Sequence, residues 1–349
     1  MAIDAPISRE VKLGAASQRV LYVAIVADVL IAAAKFLVAG LTGSSAMLTE
    51  GVHSLVDTGN ELLLLHGIQR GRRAVDEQHP FGYGKTTYVW SLIVALSVFS
   101  IGGGVTVYEG IVRLSGAPTL TDPTWNYVVL AAAACVQSWS WWVSHQEFDR
   151  HRRATDSLWR AAQRDMDVLG FTVFVINSAS MIGIGTAALG VWLSHALENP
   201  YFDPAASVLI GLVLIASAGL LARKSVNLLV GVGLDRDQVD QLRKIISADA
   251  AVEAVGHLLT MRLGPDSVLL TAAIRFRRQL NLDQVEQAIE RLERAIKLTQ
   301  PAILHLYLES GAVAQAARSA AQIAEQEAAH RERLGELGMN TNRPGLSGP

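Results

Sequence analysis

Six stretches of the chain are apolar over a length that crosses a bilayer: 20–41, 46–68, 87–112, 124–147, 167–196 and 204–231. About 20 residues of helix span the ~30 Å of hydrocarbon. Backbone groups in lipid must bond within their own segment, so each stretch is expected as a helix. After Gly233 the pattern changes. Residues 236–248 read as a short helix, and 252–262 and 267–276 as strands around the turn Gly264-Pro265-Asp266. Asp283 is expected to cap a helix to 297, with Val285, Ile289, Leu292 and Ile296 on one face, and 302–308 reads as a last strand. The expected fold is an all-α six-helix transmembrane domain followed by a small α+β domain of order αββαβ. The domains read as an N-terminal segment 1–19, a transmembrane domain 20–233, an α+β domain 234–310 and a tail 311–349, helical over 313–335 and then disordered.

Charge gives the orientation. Arg9, Lys12 and Arg19 precede the first span, Arg70, Arg72, Arg73 and Lys85 lie between the second and third, and Arg150, Arg152, Arg153, Arg160 and Arg164 between the fourth and fifth. The other three loops hold only Arg113. Basic loops stay in the cytoplasm, so both termini and the α+β domain are expected inside. Only 18% of the 349 residues are charged, against ~25% in soluble domains. A net charge of −2 gives no basic stripe for nucleic acid. The single Cys135 excludes an internal disulfide and a cysteine zinc knuckle. The first 19 residues do not read as a cleaved signal peptide. The Arg-rich inner loops suit a bacterial inner membrane. No nucleophile–base pair, P-loop or dinucleotide fingerprint points to an enzyme or to an organic cofactor. Gly102-Gly103-Gly104 lies inside the third span and reads as helix packing.

Charged groups at mid-membrane cost at least ~2.5–3.5 kcal/mol each, so each needs a reason. The second span holds Glu50, His53, Asp57, Asn60, Glu61 and His66. His53 and Asp57 are four apart, on one helix face. In a soluble helix such a pair reads as solvated, but inside a span no water solvates it, and imidazole plus carboxylate suits Zn²⁺ or a similar ion. Glu61 and His66 either snorkel or, for Glu61, add charge. Asp28 and Lys35, seven apart in the first span, read as an ion pair or as a proton-linked carboxylate. Gln137 in the fourth span reads as an interhelical hydrogen-bond donor.

The segments EGVHSLVDTGNELLLL, DEQHPFGYGKTTYVWSL, YEGIVRL and FDPAASVLIGLVLI resemble the cation diffusion facilitator family over about 20–309. The fourth-span end and Arg164-Asp165 look most like its branch related to mitochondrial zinc transporter nine. The resemblance implies six spans, a cytoplasmic metallochaperone-like (ferredoxin-like) domain, a homodimer in the lipid bilayer, and metal/proton antiport. It also implies a site built from two residues of the second span, here His53 and Asp57, and two of the fifth.

In the fifth span this chain departs from the family. Val173 and Ile176 stand at ligand or acid positions, and Asn177 alone can stand in directly. One His, one Asp and an amide oxygen make a less negative site, leaning toward Mn²⁺ or Fe²⁺ while zinc stays competitive. Asp28 or Glu61 is the candidate for the lost charge or for proton coupling. Secondary metal positions implied by the family are Asp76 and His79, with Tyr83 where some members have His, and His257 and His305 in the α+β domain. The expected function is efflux of a divalent metal cation, with protons as the counter-substrate. The alternative is the same fold with a degenerate site, acting in binding or regulation.

Overall fold

The computed structural model describes residues 7–42, 45–116, 124–151 and 168–310. The chain divides into two compact units, Met1–Val232 with Leu263–Asp266, and Gly233–Arg262 with Ser267–Pro349. The first unit is helical: α1 (Ile7–Thr42), α2 (Ser45–Gly71), α3 (Thr86–Ser97), a π-helical segment (Val98–Val105), α4 (Thr106–Ser115), α5 (Thr124–His151), α6 (Val168–Ala196) and α7 (Phe202–Val230). Four runs are long and apolar enough to cross a membrane: Leu21–Leu41, Thr86–Ser115, Gly170–Ala196 and Phe202–Val230. α2 and α5, with 27 and 28 residues, have the length but carry more polar side chains. Apolarity alone therefore marks four spans among the described residues. α1 starts well before its apolar stretch, because no proline interrupts 7–19. The tail 311–349 lies outside the described residues.

One apolar core joins all the long helices. Leu21 and Ala24 of α1, Leu64 and Ile68 of α2, Val94 of α3, Val98, Val173 of α6 and Ala218 of α7 are buried together, with Val143 of α5 and Ile176 packed against them. The outward faces carry Leu37, Tyr108 and Leu189, each more than half exposed, the inverted surface that lipid requires. The π-helical segment was not anticipated. Its three consecutive glycines have the backbone freedom that disfavours regular α-helix, and the Thr106 hydroxyl donates to the Gly102 carbonyl at 2.5 Å. Gly103 and Gly110 face α7 so closely that a Cβ would meet Ile215 and Val208, so this stretch does pack helix on helix.

The second unit has α8 (Arg236–Ala248), β1 (Val252–Gly264), β2 (Ser267–Phe276), α9 (Leu282–Thr299) and β3 (Ile303–Ser310). The sheet order is β1-β2-β3, with β2 and β3 parallel and joined through α9. Val268, Leu270 and Ile274 pack with Leu242 and Ile246 of α8, Leu292 and Ile296 of α9, and Ile303. The cap of α9 corrects the expectation. Asn281, not Asp283, accepts from the Gln284 backbone N–H at 2.9 Å, and the Gln284 side chain accepts from the Asn281 N–H at 3.0 Å. This reciprocal box satisfies two end donors, while Asp283 sits in the first turn, where its charge complements the dipole.

Candidate functional site

α2 turns the stripe of Asp57 and Glu61 to the core and leaves His66 exposed. Asp57, Glu61, Leu64 and Ile68 recur at helical spacing, and the last two belong to the central apolar cluster. His53 falls one turn before Asp57 on the same stripe by spacing; its side chain lies outside the described residues. Asp57 is half-buried. Glu61 is only 5% exposed, so it does not snorkel, and its Oε2 is buried without a hydrogen-bond partner. Asp28 of α1 lies within electrostatic range of both Asp57 and Glu61. Lys35 also acts on Asp28, and its Nζ donates to Ser54 Oγ of α2 at 3.0 Å. The α1–α2 interface thus gathers three carboxylates and one ammonium. Among the described residues no group of three or more His, Cys, Asp or Glu stands close enough to hold a metal ion.

Asn177 of α6 is bonded to α5. It is 4% exposed, and its amide is held by α5: Gln137 Nε2 donates to its Oδ1 at 3.0 Å, and its Nδ2 donates to Ser140 Oγ at 3.2 Å and Ser144 Oγ at 2.9 Å. Gln137 is the interhelical donor its sequence position implies. Beside it, Trp141 Nε1 donates to Ser178 Oγ at 3.2 Å and its ring stacks on His145. Val173 and Ile176 pack in the central core. Ser54, Ser140, Ser144 and His145 escaped the sequence reading. The spacing of Gln137, Ser140 and Ser144, three and four apart on one face, was the signal for a polar seam.

The loop between α2 and α3 closes on itself. Asp76 Oδ1 accepts from the backbone N–H of His79 at 2.7 Å and of Gln78 at 3.1 Å, and faces His79 Nδ1 at 3.2 Å. Tyr83 donates its hydroxyl to Asp76 Oδ2 at 2.5 Å. The Tyr83 hydrogen bond, followed by those from His79, holds the Asp76 carboxyl below its ordinary 3.8; the same bond pushes the Tyr83 phenol up. Asp76 and His79 are therefore together, and Tyr83 occupies the second carboxylate oxygen. His257 and His305 are not brought together in this way. They sit on β1 and β3, the two strands that flank β2, with His305 opposite Leu269.

Residues 21–230 match the cation efflux transmembrane domain. The chain belongs to the cation efflux, or cation diffusion facilitator, family. Within that family it is related to the SLC30A9 branch. It is 29% identical over 236 residues to the proton-coupled zinc antiporter SLC30A9, mitochondrial, of Xenopus laevis, covering 67% of this chain and 42% of that one. It is 28% identical over 269 residues to metal tolerance protein C4 of Arabidopsis thaliana, covering 76% and 58%. The magnetosome protein MamB of Magnetospira sp. (strain QH-2) is 24% identical over 258 residues, covering 72% of this chain and 82% of MamB. The matches to the first two span about half of those relatives' lengths. In this cation efflux protein Asp28, Asp57 and Glu61 lie on α1 and α2, and Asn177 of α6 is a neutral amide.

Proposed function

We propose that this cation efflux protein exports a divalent metal ion, Zn²⁺ or Mn²⁺/Fe²⁺, by alternating access and in exchange for protons. The observation that carries the reading is the matched cation efflux domain, in which Asp28, Asp57 and Glu61 of the first two helices lie within electrostatic range of one another. His53 and Asp57 hold the ion, and Asp28 and Glu61 supply the charge that the fifth span lacks or carry the exchanged protons. Asn177 contributes its second lone pair: an amide oxygen has two, and Gln137 uses one. Metal ligands must be deprotonated, so entry of the ion releases protons and external protons compete it off. The names of the relatives, a proton-coupled zinc antiporter and metal tolerance proteins, support this exchange.

The finer architecture belongs to the same proposal. It comprises six spans with α2 and α5 included, both termini and the metallochaperone-like domain in the cytoplasm of a bacterial cell, and a homodimer. Asp76, His79, His257 and His305 are secondary metal positions within it.

In proteoliposomes, His53→Ala and Asp57→Asn are each expected to abolish Zn²⁺- or Mn²⁺-driven proton flux; unchanged flux in both removes the assigned site. The packing of Val173 and Ile176 in the apolar core favours the rival reading, a binding or regulatory protein with a degenerate site. Wild-type protein that binds metal in titration but moves none into vesicles would decide for it.

A further inference from the structure

The end of α2 and the start of α3 are tied together. Thr87 Oγ1 donates to the Gly67 carbonyl at 3.3 Å, and a Cβ on Gly67 would meet Trp90. The His66 ring stands edge-on to Trp90, with centroids 4.8 Å apart. Leu55, Leu62, His66 and Arg70 follow one another at intervals of seven, four and four residues, so they share one face of α2, and all four are exposed. α3 exposes Val89, Ile93 and Leu96. In a membrane domain such apolar side chains meet acyl chains. Past His66 that surface gives way to Arg70, Arg72 and Arg73, all exposed. Among the described residues no carboxylate pairs with Arg70 or Arg72. Arg73 lies over the Tyr83 ring, 5.2 Å from its centroid. Asp76, the first acid after these arginines, accepts from Tyr83 and from two backbone N–H groups instead.

We propose that this surface binds an anionic glycerophospholipid: Arg70 and Arg72 take the headgroup phosphate, His66 and Trp90 lie at headgroup level, and the acyl chains run along the exposed leucines of α2. A guanidinium presents its donors in a fork that matches two phosphate oxygens at once. Aromatic rings with a polar edge favour the boundary between hydrocarbon and water. Any basic loop is drawn to an anionic membrane surface. Here the hydrogen bond from Thr87 and the packing of Trp90 on Gly67 hold the end of α2 in one place, so the preference belongs to these positions and not to charge in general. A lipid fits better than a free anion, because the arginines continue a face whose apolar part only hydrocarbon covers. The inference goes beyond the export reading and does not depend on the metal site.

The test is native mass spectrometry of the full detergent-purified chain with added phosphatidylglycerol or phosphatidylcholine of matched chain length. Wild type is expected to bind phosphatidylglycerol about tenfold or more tighter than phosphatidylcholine. Arg70→Gln combined with Arg72→Gln is expected to lose that preference. Arg277→Gln combined with Arg278→Gln removes the same charge from exposed positions of the second unit and is expected to keep it. Equal loss in both double variants would mean that only net charge counts, and overturns the site. A folded Arg70→Gln, Arg72→Gln protein with the wild-type preference overturns it as well. If that variant does not fold, wild type decides: equal binding of the two lipids, or displacement of phosphatidylglycerol by equimolar inorganic phosphate, removes the lipid site.

Discussion

An amide oxygen has two lone pairs, and Asn177 gives one of them to Gln137 while its nitrogen serves two serines. Removing that amide takes a hydrogen-bond partner from Gln137, Ser140 and Ser144 at the α5–α6 interface. Asn177→Ala is therefore expected to destabilise the protein by about 1–3 kcal/mol in a detergent thermal melt. Asn177→Asp, which can still accept from both serines, should stay closer to wild type and tighten Zn²⁺ binding in titration if this position faces the ion. Asp76 gives a second prediction at the same scale. Its carboxyl is held below 3.8, first by the Tyr83 hydroxyl. The clasp needs the ionised form, so it is complete at neutral pH and lost as the pH falls through a value below 3.8. Tyr83→Phe is expected to move the Asp76 titration back toward 3.8, read by carboxyl-carbon NMR. An unmoved titration would show that the backbone N–H groups alone hold the carboxylate.

At the scale of elements, the packing of the π-helical segment and α4 against α7 depends on missing side chains. A Cβ on Gly211 would lie 2.8 Å from the Val107 nitrogen and 2.9 Å from the Gly103 oxygen, both backbone atoms. No rotamer change relieves such a contact, so the helices must part. Gly211→Ala is expected to cost about 1–3 kcal/mol, seen as a lowered melting temperature and folded yield. A glycine with open space around it, such as Gly219, should accept alanine without that loss. α7 ends where Gly231 takes a φ of +117°, a conformation that favours glycine and stops the helix before the second unit begins. In the second unit the αββαβ order followed from alternation and from the apolar stripe of α9, because a thin core leaves few other ways to bury Leu292 and Ile296. The cap residue was less legible, since Asn281 and Asp283 both suit a helix start and only the backbone geometry distinguishes them.

At the scale of the molecule, the orientation proposed from the basic loops is open to direct measurement. In a Cys135→Ser background, Glu77→Cys is expected to react with an impermeant thiol reagent from the cytoplasmic side and Glu198→Cys from the opposite side. Labelling of both from one side would remove the six-span topology. The hydropathy pattern alone located the helical stretches and the change of class after Gly233, because lipid imposes its length and polarity on each segment separately. It also singled out His53, Asp57, Asp28 and Glu61, since a charge in such a segment is costly wherever it points. Which of these meet was decided by tertiary structure. Helix spacing puts Asp57 and Glu61 on one stripe, but only the packing of α1 on α2 brings Asp28 and Lys35 to them, and only the packing of α5 on α6 commits Asn177 to Gln137, Ser140 and Ser144. A linear sequence carries the cost of burying each group, whereas the partner that offsets that cost lies on another helix.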